Sequence, residues 1–193
     1  SHEEINKLTF KLIKNNSVIF THCHSSTVIK ALIYAKNKGK KFTIYNTETR
    51  PLYQGRKTSK ELTKAGIKNY MFLDSELGIA LSNEQGTKKT NIIFLGADAL
   101  LKKGVVNKIG SEVIARIAKQ EKIPVYILAD SWKYTNKKVK MEKRNFKEVW
   151  KNKTPKIKIN NFAFELIEKK YITGIITEKG KMTYNKFLKS VSN

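Results

Sequence analysis

The sequence predicts an α/β fold: a Rossmann-like, mostly parallel sheet with helices on both faces, preceded by one short N-terminal helix. Three observations carry that expectation. Short apolar runs alternate with stretches of helical spacing along nearly all of the 193 residues, as successive βαβ units do. The strand-like runs are continuously apolar rather than alternating, which suits strands buried on both faces. Turn residues, Gly39 and Gly66 among them, close the helical stretches.

The elements follow in order. Residues 3–14 carry Ile5, Leu8, Leu12 and Ile13 at helical spacing, and Asn15-Asn16 ends the segment. SVIFTH (17–22) reads as a buried strand, residues 26–39 as a helix stopped by Gly39, and residues 41–46 as the second strand. Residues 48–56, with Pro51 and Gly55, read as a loop. Residues 58–66 read as a short helix with Thr58 or Ser59 as N-cap and Gly66 as its stop. A strand is expected at 70–74, a helical stretch over about 75–83 and a strand at 90–96. ADALLKKGVVNK (97–108) reads as a loop before a helix at 110–122 and a strand at 124–129. Residues 130–161 are Lys-rich with weak periodicity and read as loop with short elements. Residues 171–180 hold a last strand and turn, and residues 183–191 a closing helix. No repeat and no low-complexity linker interrupts this pattern, so residues 17–193 are expected to form one domain behind an N-terminal helix at 1–16.

Composition narrows the classes of function. The chain holds 39 Lys and Arg against 16 Asp and Glu, a formal charge of +23. Such a charge steers anions towards the protein and favours a phosphorylated ligand. The lysines are spread from Lys7 to Lys189, and no cluster interleaves Arg with aromatics, which argues against a nucleic-acid partner. The single cysteine, Cys23, excludes an internal disulfide and fits a reducing cytoplasm. No apolar run approaches the roughly 18–20 residues of a membrane span, and the start SHEEINKLTF lacks the basic-then-apolar pattern of a signal peptide. No membrane association is expected. The chain begins Ser-His rather than Met, which reads as a cut with residues missing upstream.

In open α/β sheets ligands bind beyond the C-terminal ends of the strands. That rule selects the loops at 22–25, 48–51, 74–75 and 96–98, and chemically able residues fall in each. Cys23 lies between a strand and a helix N-terminus, where the helix dipole can hold a phosphate and lower a thiol towards thiolate; it can equally pack beneath the turn. Asp98 follows a buried strand, where a carboxyl serves as general acid or base if burial raises its pKa, or as a loop cap. Arg50 precedes Pro51, which keeps it extended with its side chain outward, suited to bidentate phosphate contact or to an ion pair with Glu48. Gln54 and Gly55 share that loop, and Gly55 permits close backbone approach. Lys108 suits a phosphate or oxyanion and Asn107 a sugar hydroxyl. No glycine-rich nucleotide motif is present. His22, Cys23 and His24 are neighbours on an extended segment and point alternately, so they do not share one metal ion. Neither cofactor nor metal is expected.

Taken as a series, THCHSSTV, ETRPLYQG, LDS, GADAL, VVNKIGS, PVYILA, SWKY and ITGIITEKG resemble one family. It joins archaeal ribose-1,5-bisphosphate isomerases, methylthioribose-1-phosphate isomerases and the regulatory subunits of translation initiation factor 2B. The resemblance runs from about Ser17 to Gly180. It implies that Cys23 and Asp98 are the catalytic pair, with substrate contacts from His24, Ser25, Arg50, Gln54, Asn107 and Lys108 and a phosphate within reach of Lys133. It implies isomerisation of ribose 1,5-bisphosphate to ribulose 1,5-bisphosphate in AMP salvage, with no cofactor, and assembly as a homodimer or hexamer. The alternative it implies is a non-catalytic regulatory subunit that binds a nucleotide or sugar phosphate. The family's helical N-terminal domain, with a phosphate-gripping Arg-Gly loop, is represented only by the helix at 3–14, a remnant whose counterpart is expected upstream or on another chain. Other departures are Lys103 for an expected Asn, Ser111 for Thr, one residue fewer between the GAD and NK motifs, and Asn160-Asn161 for Asn-Pro.

Overall fold

The computed structural model describes residues 2–83 and 85–191. Its centre is a seven-stranded sheet in the order β10-β9-β7-β4-β1-β2-β3. The strands are β1 Ser17–Thr21, β2 Phe42–Thr47, β3 Lys68–Phe72, β4 Ile92–Leu95, β7 Val125–Leu128, β9 Gly174–Thr177 and β10 Gly180–Met182. All pairs are parallel except β9–β10, a hairpin closing one edge.

The continuous apolar runs are explained by two cores. Val18 and Phe20 of β1 and Ile93 and Leu95 of β4 face one cluster, with Leu81 of α4 (Leu77–Ser82), Ile114 and Ala118 of α5 (Ser111–Gln120) and Phe187 of α6 (Tyr184–Val191). Ile19, Ile92 and Phe94 face the opposite cluster. There they meet Ile5 of α1 (His2–Leu12), Val28 and Leu32 of α2 (Ser26–Asn37) and Leu62 of α3 (Gln54–Lys64). Alternate residues of β1 and β4 thus serve alternate faces, so the interior positions of both strands are apolar. Among the described residues no helix is long and apolar enough to cross a membrane.

Three expectations are corrected. The segment at 97–108 is not a loop: β5 Ala99–Leu101 and β6 Gly104–Lys108 form an antiparallel hairpin. β6 also pairs with β8 Phe164–Glu168, giving a second sheet of three strands. Gly104 makes the pairing possible, because a Cβ there would lie 2.0 Å from the Ile167 carbonyl oxygen. Finally, α3 starts at Gln54 rather than at 58, with Tyr53 in a left-handed N-cap. Thr58 is therefore inside the helix, where its hydroxyl donates to the Cys23 carbonyl at 2.7 Å. Gly55 brings α3 so close to β2 that a Cβ would sit 1.7 Å from the Thr47 carbonyl oxygen.

Candidate functional site

The strand order reverses between β1 and β4, so the loops that follow them flank the switch point where open α/β sheets bind ligands. The two loops touch. A Cβ at Gly96 would lie 2.6 Å from Ser25 Oγ, so only glycine allows this approach. Ser25 itself caps α2, its hydroxyl accepting the Val28 N–H.

Cys23 turns the chain between β1 and α2 with φ at 64°. That left-handed geometry costs a non-glycine residue about 1–3 kcal/mol and persists only where the surroundings enforce it. Here the Cys23 N–H donates to Thr49 Oγ1 at 3.0 Å, and its carbonyl accepts from Thr58. Thr49 is pinned in turn by Asp74, whose carboxylate accepts the N–H groups of Thr49 (2.9 Å) and Arg50 (2.6 Å). On the far side of the switch point the Asp98 N–H donates to the Val106 carbonyl at 2.8 Å, tying the carboxyl to the β5–β6 hairpin.

One cavity of about 280 Å³ opens over these groups, at the small end for a ligand site. Cys23, His24, Gln54, Asp98, Asn107 and Lys108, six of the residues expected from sequence, line it. The Gln54 Oε1 is buried without a hydrogen-bond partner. Lys108 is 4% exposed. Asn107 donates through Nδ2 to Ser111 Oγ at 3.0 Å. His24 Nε2 lies 3.1 Å from Glu61 Oε1.

Three expected residues are outside the lining. Ser25 is the α2 cap. Arg50 is exposed and donates to the Val149 carbonyl at 3.1 Å, while Glu48 pairs with Arg56 instead. Lys133 donates to the Ala97 carbonyl at 2.6 Å and acts on Asp98 only through its charge.

The wall from Arg144 to Phe164 is absent from the expected set. Arg144 forks onto Glu148 at 2.7 and 2.9 Å, and Asn161 donates to Glu148 at 3.2 Å. This network holds Arg144, Ala163 and Phe164 against the cavity, with Lys57 and Leu52 contributed by the opposite side. The Arg144-to-Glu148 spacing of four was its signal in the sequence, hidden among lysines.

Desolvation shifts the carboxyl and the thiol of the site. It raises the Asp98 carboxyl above its ordinary value; the carboxyl opens to the cavity but is hemmed in behind, and Lys133 and Lys108 only partly offset the effect. Burial likewise pushes the Cys23 thiol up, against the lowering expected from the helix dipole. The His24 N–H and the Lys108 ammonium pull down, and Asp98 and Asp74 push up. The site thus combines a carboxyl biased towards the acid, a thiol biased towards the neutral form and a buried ammonium. Among the described residues no group of three His, Cys, Asp or Glu is placed to hold a metal ion.

A larger recess, of about 450 Å³, lies at the opposite end of the sheet beside Lys14, Asn15, Asn91 and Tyr126. Two of its amide oxygens are already engaged: Asn15 Oδ1 accepts the Lys41 N–H and Asn91 Oδ1 the Val18 N–H. It has no acid–base pair, so the smaller cavity is the chemical candidate.

These features define a Rossmann-like domain with a cationic, acid–base-equipped crevice at its topological switch point. The chain belongs to the Initiation factor 2 subunit family, which matches residues 1–184. A ribose 1,5-bisphosphate isomerase of Methanocaldococcus jannaschii is 36% identical over 186 residues, covering 92% of this chain and 58% of that protein. A putative translation initiation factor eIF-2B subunit 2-like protein of Pyrococcus furiosus is 32% identical over 183 residues, covering 92% and 62%. The crystal structure of the Pyrococcus horikoshii OT3 translation initiation factor eIF-2B superposes with a TM-score of 0.83 at 31% identity, covering 94% of this chain and 64% of that one. This chain therefore spans about three-fifths of the length of these relatives.

Proposed function

We propose that this chain carries the catalytic site of an aldose–ketose isomerase acting on ribose 1,5-bisphosphate. The observation that supports this reading most is the convergence of Cys23, Asp98 and Lys108 on one cavity. In the proposed reaction Asp98, as the acid, gives its proton to the ring oxygen as the C1–O4 bond breaks, with the bonding pair leaving on oxygen. The Cys23 thiolate removes the C2 proton, and the C2–H electron pair forms the C1–C2 double bond of an enol. Cys23 returns that proton to C1, the C2 hydroxyl proton passes to the Asp98 carboxylate, and C2 becomes the ketone. Both groups end as they began. Lys108 holds a phosphate, Asn107 and Gln54 meet sugar hydroxyls, and Arg50 and Lys133 act from the rim. Homo-oligomerisation, a reducing cytoplasmic setting and a place in AMP metabolism belong to the same reading.

A second reading, a non-catalytic binding subunit of the initiation-factor-2B type, is favoured by one observation: the Cys23 thiol is pushed towards its unreactive neutral form. A coupled assay supplying ribose 1,5-bisphosphate and detecting ribulose 1,5-bisphosphate separates the two. The chain is assayed alone and with the N-terminal part of a relative added. Turnover in either arm supports the isomerase. Ligand binding without turnover in both arms overturns it in favour of the binding subunit.

A further inference from the structure

We infer that His22 is a positioning residue, a neutral imidazole that locks the Cys23 turn on one side of the crevice to the Lys108 strand end on the other. His22 is 3% exposed and does not line the cavity. Its Nε2 lies 2.8 Å from the Ile109 carbonyl oxygen, which only accepts, so Nε2 carries the proton. Its Nδ1 lies 2.6 Å from Thr47 Oγ1, so the Thr47 hydroxyl donates to the ring. Thr47 Oγ1 is 3.2 Å from Thr49 Oγ1, which in turn accepts the Cys23 N–H at 3.0 Å.

With the ring neutral, the line runs one way, the Thr49 hydroxyl also lying 3.4 Å from the Thr47 carbonyl. The Cys23 N–H donates to Thr49, the Thr49 hydroxyl to Thr47, the Thr47 hydroxyl to His22 and the His22 Nε2–H to Ile109. The line starts beneath the thiol and ends one residue past Lys108. Its far end is anchored as well, because the Ile109 N–H donates to the carbonyl of Ala163, a cavity residue, at 2.9 Å. Gly110 presses on the ring from behind: its φ is 101°, and a Cβ there would lie 3.0 Å from His22 Nε2. Burial lowers the basicity of His22, which keeps the required neutral tautomer. With both nitrogens engaged, His22 acts through its neighbours.

The catalytic consequence rests on the isomerase reading. A substrate phosphate on Lys108 and a proton transfer at Cys23 need a fixed separation, and misplacement of about 1 Å can cost roughly 10²-fold in rate. The test compares His22→Phe, His22→Gln and Thr47→Val with the wild type. Phe keeps the ring volume and loses both hydrogen bonds; Gln keeps the donor to Ile109; Val breaks the line one step earlier. The expected result is a kcat loss of about 10²-fold for His22→Phe with KM within about threefold, and partial rescue in His22→Gln.

A second readout needs no turnover. The rate of Cys23 alkylation by iodoacetamide, measured on folded protein, is expected to rise at least about fivefold in His22→Phe and Thr47→Val as the enforced turn relaxes. Unchanged alkylation in folded variants overturns the inference, as does a kcat loss no larger than the unfolded fraction. Altered alkylation in a chain whose wild type never isomerises the sugar leaves His22 as the lock and defeats only the isomerase reading.

Discussion

Replacing Gln54 by Met should make the empty protein more stable and its ligand complex weaker. The Gln54 Oε1 is buried in the cavity wall without a partner. A desolvated acceptor left unpaired costs about 1–3 kcal/mol. Gln54 is only half-buried as a whole, which places the effect in the lower part of that range, about 1–2 kcal/mol. In a chain of this size each kcal/mol moves the melting temperature by about 2–4 °C, so Gln54→Met should melt about 2–8 °C higher. Met matches Gln closely in volume and helix propensity, so the substitution removes the amide, its unpartnered oxygen included, without opening a gap. The same oxygen is ready to accept a hydroxyl proton, a bond worth about 0.5–1.5 kcal/mol, or roughly 2–12-fold in Kd. Differential scanning calorimetry without and with ribose 1,5-bisphosphate, paired with titration calorimetry, reads both halves. The expected pattern is a crossing: higher Tm when empty, smaller ligand-induced shift. A variant that melts at or below the wild type and keeps the full ligand shift refutes the reasoning, because the oxygen would then already be satisfied.

Cys23→Ala should retain ligand affinity in titration calorimetry while kcat falls by at least about 10²–10⁴-fold, the contribution of a general base; a loss below tenfold would remove Cys23 from the chemistry. The proposed active form needs Asp98 protonated and Cys23 ionised, the reverse of their order of ionisation. Activity should rise with pH until the Asp98 acid form ceases to be the main one, above its ordinary value of 3.8, and fall only above the ordinary thiol value of 9.0. A pH–rate profile whose alkaline limb centres below that thiol value contradicts the assignment. Gly55→Ala should destabilise the fold beyond the roughly 1–3 kcal/mol of ordinary overpacking, because its Cβ would meet backbone, 1.7 Å from the Thr47 oxygen. Urea unfolding checks this, and a midpoint equal to the wild type's would show that α3 can retreat from β2.

The main sheet was legible because its central strands, β1 and β4 among them, are buried on both faces. Ile19 and Phe20 serve opposite cores, and both must be apolar. The three-stranded sheet was not legible, because its strands are short. ALL and FELIE are too brief to show a period, and FELIE pairs with GVVNK across an intervening stretch of more than 50 residues with no signal in the local sequence. Reading 97–108 as a loop still kept Asn107 and Lys108 as candidates, since an amide suits a sugar hydroxyl and an ammonium a phosphate whatever form the backbone takes. The N-cap of α3 was misread for a related reason. Thr58 looks like a cap, and its hydroxyl does close on a backbone group, but that group is the Cys23 carbonyl in another loop. The Arg144 wall escaped because an i,i+4 charge pair in a segment full of lysines normally marks a solvated face.

The overall charge of +23 brings anions near, but the cavity's selectivity comes from which cation lacks a counter-charge. Arg144 is held by Glu148 and Lys57 lies 3.9 Å from Glu61. Lys108, 4% exposed, has no ion-pair partner among the described residues. An arriving phosphate would give Lys108 the ion-pair partner that Glu148 gives Arg144 and Glu61 gives Lys57. Seating a phosphate there also removes the ammonium's pull on both neighbours. The Asp98 carboxyl then holds its proton more tightly, and the Cys23 thiol becomes harder to ionise. In the proposed reaction the sugar orders the steps. The carboxyl gives up its proton first, opening the ring, and the positive charge that develops at C1 then favours the thiolate beside it. A thiol held neutral in the empty cavity is compatible with a base that acts only after the sugar has opened.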